Sequence, residues 1–268
     1  MTYFNHLPFA RPGWEIAQGA GPVLATAVHA GHLTDPDLED RFQLSSEGRR
    51  REEDPMTGIW ASVGDHSFRC FVSRFQVDLN RAREKAVYMT PDDAWGLDVW
   101  ADPPDERRKE AILKEWDAYY ALMAKWIEHL IAQHGTVVLL DIHSYNHRRD
   151  GAFSAPGPQE DNPDIDLGVT TTDHARFGRL VDIIEEEVGR EEAAGRKLDV
   201  RRNVRYPDGG HWPEWVYANY GENVATVTLE YKKFYMDEWT GAAFLPVVED
   251  LRQGLTRAVT SLKRELSR

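Results

Sequence analysis

VVLLDIHSY, residues 137–145, begins as an unbroken apolar run and ends in Asp141, His143, Ser144 and Tyr145. Such a run reads as a β-strand buried on both faces. Open α/β sheets bind ligands where these strands end, at their carboxyl edge. A histidine there, with a carboxylate two residues earlier on the same strand face, suits a metal ligand or a catalytic base. The pattern recurs twice. PVLATAV (22–28) feeds His29-Ala30-Gly31-His32, and VATVTLE (224–230) closes on Glu230.

Between these runs lie helical signals. Ile112, Trp116, Tyr119, Met123, Ile127, Leu130 and Ile131 recur every three or four residues and predict a helix over 105–134. Gly135 stops it and launches the 137–143 strand. Asp173 is placed to cap a helix over 176–188. Pro213 opens a short aromatic helix ending near Gly221, and a last amphipathic helix spans about 242–266. Residues 67–79 suit one or two strands, and 198–206 another. The charged stretch 34–57 reads as a solvated loop or short helix. The Gly/Pro-containing stretch 150–166 reads as a long loop over an active-site mouth. No repeat and no Gly/Ser linker interrupts the chain, so one domain over 1–268 is expected. The alternation of strands and helices implies an α/β fold, with a mostly parallel or mixed sheet covered on both faces.

Composition narrows the partners. The 268 residues carry 32 basic and 45 acidic side chains, a net charge of −13, which repels a phosphate backbone and argues against nucleic acid. Any anionic ligand needs a local basic pocket. Cys70 is the only cysteine, which excludes an internal disulfide and a cysteine-rich zinc module and fits a reducing compartment. No stretch approaches the roughly 20 apolar residues of a membrane span, and the N-terminus shows no basic-then-apolar leader. The expectation is a cytoplasmic protein with no membrane partner.

His29 and His143 both follow buried strands, so both can sit at one sheet edge. Zinc hydrolases use three protein ligands and leave a position open for water. Taken alone, either histidine is more often a hydrogen-bonded core residue than a ligand. His29-x-x-His32 strengthens the metal reading, because a three-residue step in a turn can aim two rings at one ion. Asp141 can orient a ligating histidine or simply end its strand. Glu230 can serve as general base beside activated water, or pair with Lys232 or Lys233. Arg74 and Arg81 bracket FQVDLN, and with Asn80 they could form the basic pocket for a carboxylate.

The ordered set HAGH, VSRFQVDLNR, DIHS, DIDLGVTTTDHARFG, RYPDGG and LEYKKFYMDE, spread over about 22–245, resembles the N-formylglutamate amidohydrolases. HSY at 143–145, DLNR at 78–81 and TLE at 228–230 further resemble segments of the zinc carboxypeptidases. The resemblance implies a three-layer α/β/α sandwich around a mixed sheet, zinc-carboxypeptidase-like. It implies His29 and His143 as ligands of one zinc or other divalent ion and Glu230 as the base. It makes Asn80 and Arg81 binders of the substrate carboxylate, with Arg74 and Arg205 as helpers, and Gly209-Gly210 a tight substrate-facing turn. The carboxypeptidases place a glutamate three residues after the first histidine, where this chain has His32. The amidohydrolase pattern carries an aspartate further downstream, which here makes Asp54 the preferred third ligand, with Glu53 and His32 as rivals.

The expected function is a zinc-dependent amidohydrolase that cleaves an N-formyl or N-acyl amino acid. Its rivals are a small metallo-carboxypeptidase, an amidase of another N-acyl substrate, and a non-catalytic dicarboxylate-binding relative.

Overall fold

The computed structural model describes residues 13–190 and 192–268. In chain order the elements are β1 (Trp14–Ala17), β2 (Val23–Ala27), α1 (Pro36–Glu39), α2 (Ser46–Glu52), α3 (Thr57–Ala61), β3 (His66–Cys70), α4 (Glu106–His134), β4 (Val137–Tyr145), β5 (Ile165–Gly168), α5 (His174–Gly189), β6 (Glu192–Ala193), β7 (Arg196–Lys197), β8 (Val200–Arg202), α6 (His211–Tyr220), β9 (Val224–Lys232) and α7 (Leu245–Leu266). Seven strands form one sheet in the order β1-β3-β2-β4-β9-β5-β8, and β6 and β7 make a separate small hairpin. The pairs β3–β2, β2–β4, β4–β9 and β5–β8 are parallel; β1–β3 and β5–β9 are antiparallel. The fold is therefore the mixed, mostly parallel sheet that the apolar runs suggest.

Both faces of the sheet are covered, which is why β2, β4 and β9 can be apolar without strict alternation. Val23, Ala25, Ala27, Val138, Leu140, Ile142, Ala225, Val227 and Leu229 pack with Trp60 of α3 and the apolar faces of α5 and α7. The intervening Leu24, Val137, Leu139 and Val224 pack with Ile112, Tyr119, Met123 and Ile127 of α4 and Trp212 of α6. Helix α4 is capped by the Asp105 carboxylate, which accepts from the Arg108 amide at 2.7 Å. It ends where Gly135 turns at φ 72°, a left-handed position that favours glycine.

Several expectations need correction. Residues 67–79 yield one strand, His66–Cys70. The chain from Ser73 onward turns back on itself through main-chain bonds from Gln76 and Val77 to the Ser73 carbonyl. The 198–206 strand shrinks to Val200–Arg202, because its following residues bend to meet Asp166. The 34–57 stretch holds helices α1 and α2, and its end is buried: Arg49, Glu53 and Asp54 are each at most 2% exposed. The last helix starts at Leu245 rather than near 242. The loop expected to 166 gives way at Ile165 to β5.

Candidate metal centre and its surroundings

In the parallel register of β2 and β4, Thr26 lies opposite Asp141; in that of β4 and β9, His143 lies opposite Glu230. The antiparallel neighbour β5 continues the second row, with Asp166 opposite Glu230. Side chains in register point to the same side of a sheet, so His143, Glu230 and Asp166 form one polar row near the carboxyl ends of β4 and β9. His29, two residues beyond β2, reaches this row from the neighbouring strand; its ring meets that of His143 edge-on, with centroids 4.9 Å apart.

Asp54 arrives from the other direction. Helix α2 ends at Glu52; the extended backbone of Glu53 (φ −80°, ψ 175°) and Pro55, which restricts Asp54 before it, turn the chain towards the sheet. The Asp54 amide donates to the His29 carbonyl at 2.9 Å, and the Thr57 hydroxyl donates to the Asp54 carbonyl at 2.7 Å. Asp54 Oδ2 then lies 3.0 Å from His143 Nδ1 and 3.5 Å from His29 Nδ1. His29, Asp54 and His143 are all buried, and one ligating atom from each lies within 4.8 Å of the other two.

The rear of each ring is held by a carboxylate. His29 Nε2 is 2.7 Å from Asp78 Oδ1, and His143 Nε2 is 2.9 Å from Asp141 Oδ2. A carboxylate accepts only, so these contacts place the ring protons on Nε2 and leave the Nδ1 lone pairs facing Asp54. His29 Nδ1 is buried and has no hydrogen-bond partner among the described residues. Two lone pairs converging on a carboxylate repel unless a proton or a cation stands between them. Burial alone would keep His143 neutral, yet the charge of Asp141 and the hydrogen bonds to Asp141 and Asp54 raise its pKa well above the ordinary value. Asp54 is held low despite its burial by its hydrogen bond with His143 and the electrostatic attraction of the two histidines. Donors around a tetrahedral zinc, at bond lengths near 2.0–2.2 Å, stand roughly 3.3–3.5 Å apart. The donor set, its spacing and the orphaned nitrogen all fit a divalent cation.

Glu230 is 7% exposed, and its carboxyl is pushed up to about 8. Burial is the main cause; His143 opposes the rise, and the negative charges of Asp54, Asp141 and Asp166 add to it. Neither neighbouring lysine neutralises it. Lys232 Nζ bonds Asp164 at 2.8 Å, and Lys233 Nζ bonds main-chain carbonyls. The Asp166 carboxylate accepts three main-chain N–H groups, from Val204, Arg205 and Tyr206, and so shapes the adjoining loop.

The remaining candidates are dispersed. Arg74 donates to Asp78 Oδ2 at 2.8 Å and to the Tyr88 hydroxyl at 3.2 Å, so it stands behind His29 and balances Asp78. Asn80 is consumed by the glycine turn: its Nδ2 donates to the Gly209 carbonyl at 2.7 Å and its Oδ1 accepts from the Trp212 amide at 2.8 Å. Gly209 and Gly210 both have positive φ, and a Cβ on Gly210 would lie 2.7 Å from Asn80 Nδ2. Arg81 is exposed. Arg205 Nη1 donates to the Asp161 carbonyl and to Asn162 Oδ1, and its guanidinium lies over the Tyr145 and Tyr206 rings.

The two rival ligands face elsewhere. His32 Nδ1 contacts Glu53 Oε2 at 2.6 Å, its Nε2 contacts Ser46 Oγ at 2.9 Å, and the other Glu53 oxygen takes the Ser73 hydroxyl. Asp78 escaped sequence reading although it bears on His29 directly. Its signal was available: a carboxylate flanked by apolar residues in FQVDL is as anomalous as Glu230 in TVTLE.

A family model described as N-formylglutamate amidohydrolase matches residues 21–236. An N-formylglutamate amidohydrolase from Ralstonia eutropha aligns over 94% of this chain and 98% of its own, at 19% identity and a TM-score of 0.72. A gene product of Agrobacterium tumefaciens aligns over 93% and 95%, at 19% identity and 0.60. A metallo-carboxypeptidase from Burkholderia cenocepacia shows a more distant likeness, covering 96% and 62% at 13% identity and 0.40. No curated protein is matched by the sequence.

Proposed function

The chain belongs to the N-formylglutamate amidohydrolase family, hydrolases of an amide bond, and on that premise we propose that it cleaves an N-formyl or N-acyl amino acid of the N-formylglutamate type with a bound divalent ion, zinc by preference. One observation carries the reading: Nδ1 of His29, Nδ1 of His143 and Oδ2 of Asp54 converge, while Asp78 and Asp141 hold the opposite nitrogens. These three residues would be the ligands. When bound there, the ion supplies Lewis acidity, polarising the scissile carbonyl and making water nucleophilic at neutral pH.

The rest falls to the chain itself. Glu230, in register with His143, would take the proton of the attacking water and return it to the leaving nitrogen. A carboxyl near 8 when no cation is present becomes ionised once positive charge sits beside it, which is the state a base needs. Arg205 is the carboxylate anchor we favour, because the Asp161 carbonyl and Asn162 Oδ1 that it bonds are neutral oxygens and leave its charge for a ligand. Arg81 is a second candidate. Arg74 and Asn80 support the site, one by holding Asp78 and the other by ordering the Gly209–Gly210 turn.

The test is metal content together with formate release from N-formylglutamate, before and after exhaustive chelation. Turnover should vanish with the metal and return when zinc is added. Formate release that persists in metal-free protein refutes the mechanism. N-acetylglutamate and dipeptides in the same assay define the acyl range.

A further inference from the structure

One buried charge takes no part in that chemistry. Lys233 follows directly on β9, three residues beyond Glu230, and is 1% exposed. Its ammonium has three hydrogens and three acceptors: the carbonyl of Arg51 at 2.6 Å, the carbonyl of Glu53 at 2.7 Å, and Oδ1 of Asn146 at 3.0 Å. All three are neutral oxygens. Burying an ammonium against uncharged partners is unfavourable, because neutral oxygens do not restore the hydration it loses. Burial lowers the pKa of Lys233, although Asp54, Glu52 and Glu238 act in the opposite sense. A hydrophobic residue would fill the space more cheaply, so the position of the charge calls for an explanation.

Its partners supply one. Arg51 and Glu53 lie at the end of α2, where carbonyls have no further helical N–H to bond. The next residue is Asp54. An aspartate side chain is short, so the place of its carboxylate follows closely from the place of its main chain. On the far side, the Tyr235 hydroxyl donates to the Pro55 carbonyl at 2.8 Å, and Tyr235 is two residues beyond Lys233. The stretch that leaves β9 therefore grips the Asp54 segment from both sides, and the same strand delivers Glu230.

We propose that Lys233 is a positioning residue for the metal: its ammonium pins the peptide groups preceding Asp54 and keeps the Asp54 carboxylate within reach of the two histidine Nδ1 atoms. This rests on the metal reading above. Outer partners of metal ligands typically govern about 10–100-fold in affinity, and Lys233 acts in that range through the main chain rather than through a ligand side chain.

Lys232 provides a matched control. It is also buried, at 4% exposure, but its ammonium bonds Gln159, Asn162 and Asp164, away from residues 51–54. Zinc affinity is measured on metal-free wild type, Lys233→Met and Lys232→Met by competition with a chromophoric chelator, with circular dichroism to certify folding. Lys233→Met should bind zinc roughly 10–100-fold more weakly, and its kcat should approach the wild-type value once zinc saturates. Lys232→Met should lose thermal stability and keep its zinc affinity. Wild-type zinc affinity in folded Lys233→Met overturns the proposal, and so does an equal loss in Lys232→Met, since that would mark general destabilisation. If Lys233→Met does not fold, Asn146→Ala decides: removing one acceptor should weaken zinc binding several-fold, and no change overturns the proposal. A wild-type protein that takes up no divalent ion refutes the metal reading itself, a different result from one in which only the variants fail to differ.

Discussion

Asp141→Asn isolates what a carboxylate behind a histidine contributes. Asp141 is fully buried, its Oδ1 accepts from the Thr26 hydroxyl at 2.7 Å, and its Oδ2 accepts from His143 Nε2 at 2.9 Å. An asparagine has a single oxygen for these two donors. If that oxygen faces His143, the amide hydrogens face Thr26 Oγ1, which already receives the Trp212 indole N–H at 3.2 Å, and the threonine hydrogen loses its acceptor. An unsatisfied buried group of this kind costs about 1–3 kcal/mol of stability. If the amide faces His143 instead, Nε2 must accept, the ring proton moves to Nδ1, and the lone pair aimed at Asp54 disappears. Both arrangements remove the negative charge that polarises the imidazole. We expect zinc affinity to fall by about 10–100-fold, or roughly 1.4–2.7 kcal/mol. Chelator competition on metal-free protein measures it, with thermal unfolding run alongside to separate loss of fold from loss of affinity. Folded Asp141→Asn that binds zinc as tightly as wild type would show that the carboxylate does not orient His143, and the assignment of Nδ1 as the ligating atom would fall with it.

Glu230→Gln should keep zinc affinity within a few-fold while kcat drops by about 10²–10⁴; undiminished turnover places the base elsewhere. Arg205→Ala should raise KM for N-formylglutamate with a smaller change in kcat, and a KM equal to wild type removes it as the carboxylate anchor. Gly209→Ala forces a side chain onto φ 72° with its Cβ 1.9 Å from Thr228 Oγ1, so chemical denaturation should show a loss of about 2–4 kcal/mol; full stability would mean the turn has another conformation open to it. Glu115, on α4, has its carboxyl pushed up to about 7 chiefly by burial, with Asp35 adding to it. Because the folded value lies above the ordinary 4.5, the folded state holds a proton there that the unfolded chain gives up. That contribution is complete below about pH 4.5 and is lost as the pH rises to 7, an effect of about 1–3 kcal/mol. Thermal unfolding of wild type and Glu115→Gln at pH 5 and 7.5 checks the sign: the wild type should lose more stability over that interval, and equal losses would refute the shift.

The strands and long helices were legible because burial on two faces leaves apolar runs and burial on one leaves a 3.6-residue stripe. Shorter pieces were not. β1 and β5 have four residues each and carry their pairing in distant partners, Cys70 to Ser67 for one and Tyr231 to Thr228 for the other. Among charged residues the sequence shows type and place in the chain but not partner. Arg74 and Arg81 looked equivalent beside FQVDLN, yet one neutralises Asp78 and the other is exposed. Lys232 and Lys233 were the alternative counter-ions for Glu230, yet Lys232 bonds Asp164 and Lys233 bonds carbonyls of the α2 end.

Residue order alone puts His29, His143 and Glu230 near the ends of buried strands, because an apolar run that stops at a polar residue marks a sheet edge wherever it occurs. It also offers three choices, His32, Glu53 and Asp54, for the group that joins the two histidines. The backbone at residue 53 selects among them. Residue 53 is extended, so successive side chains diverge: Glu53 turns to His32 and Ser73, and Asp54 turns to the two imidazoles. The meeting of His29, His143 and Glu230 likewise depends on β2, β4 and β9 being neighbours in one register. That adjacency is set by how helices on both faces pack the strands together, and no local run of residues encodes it.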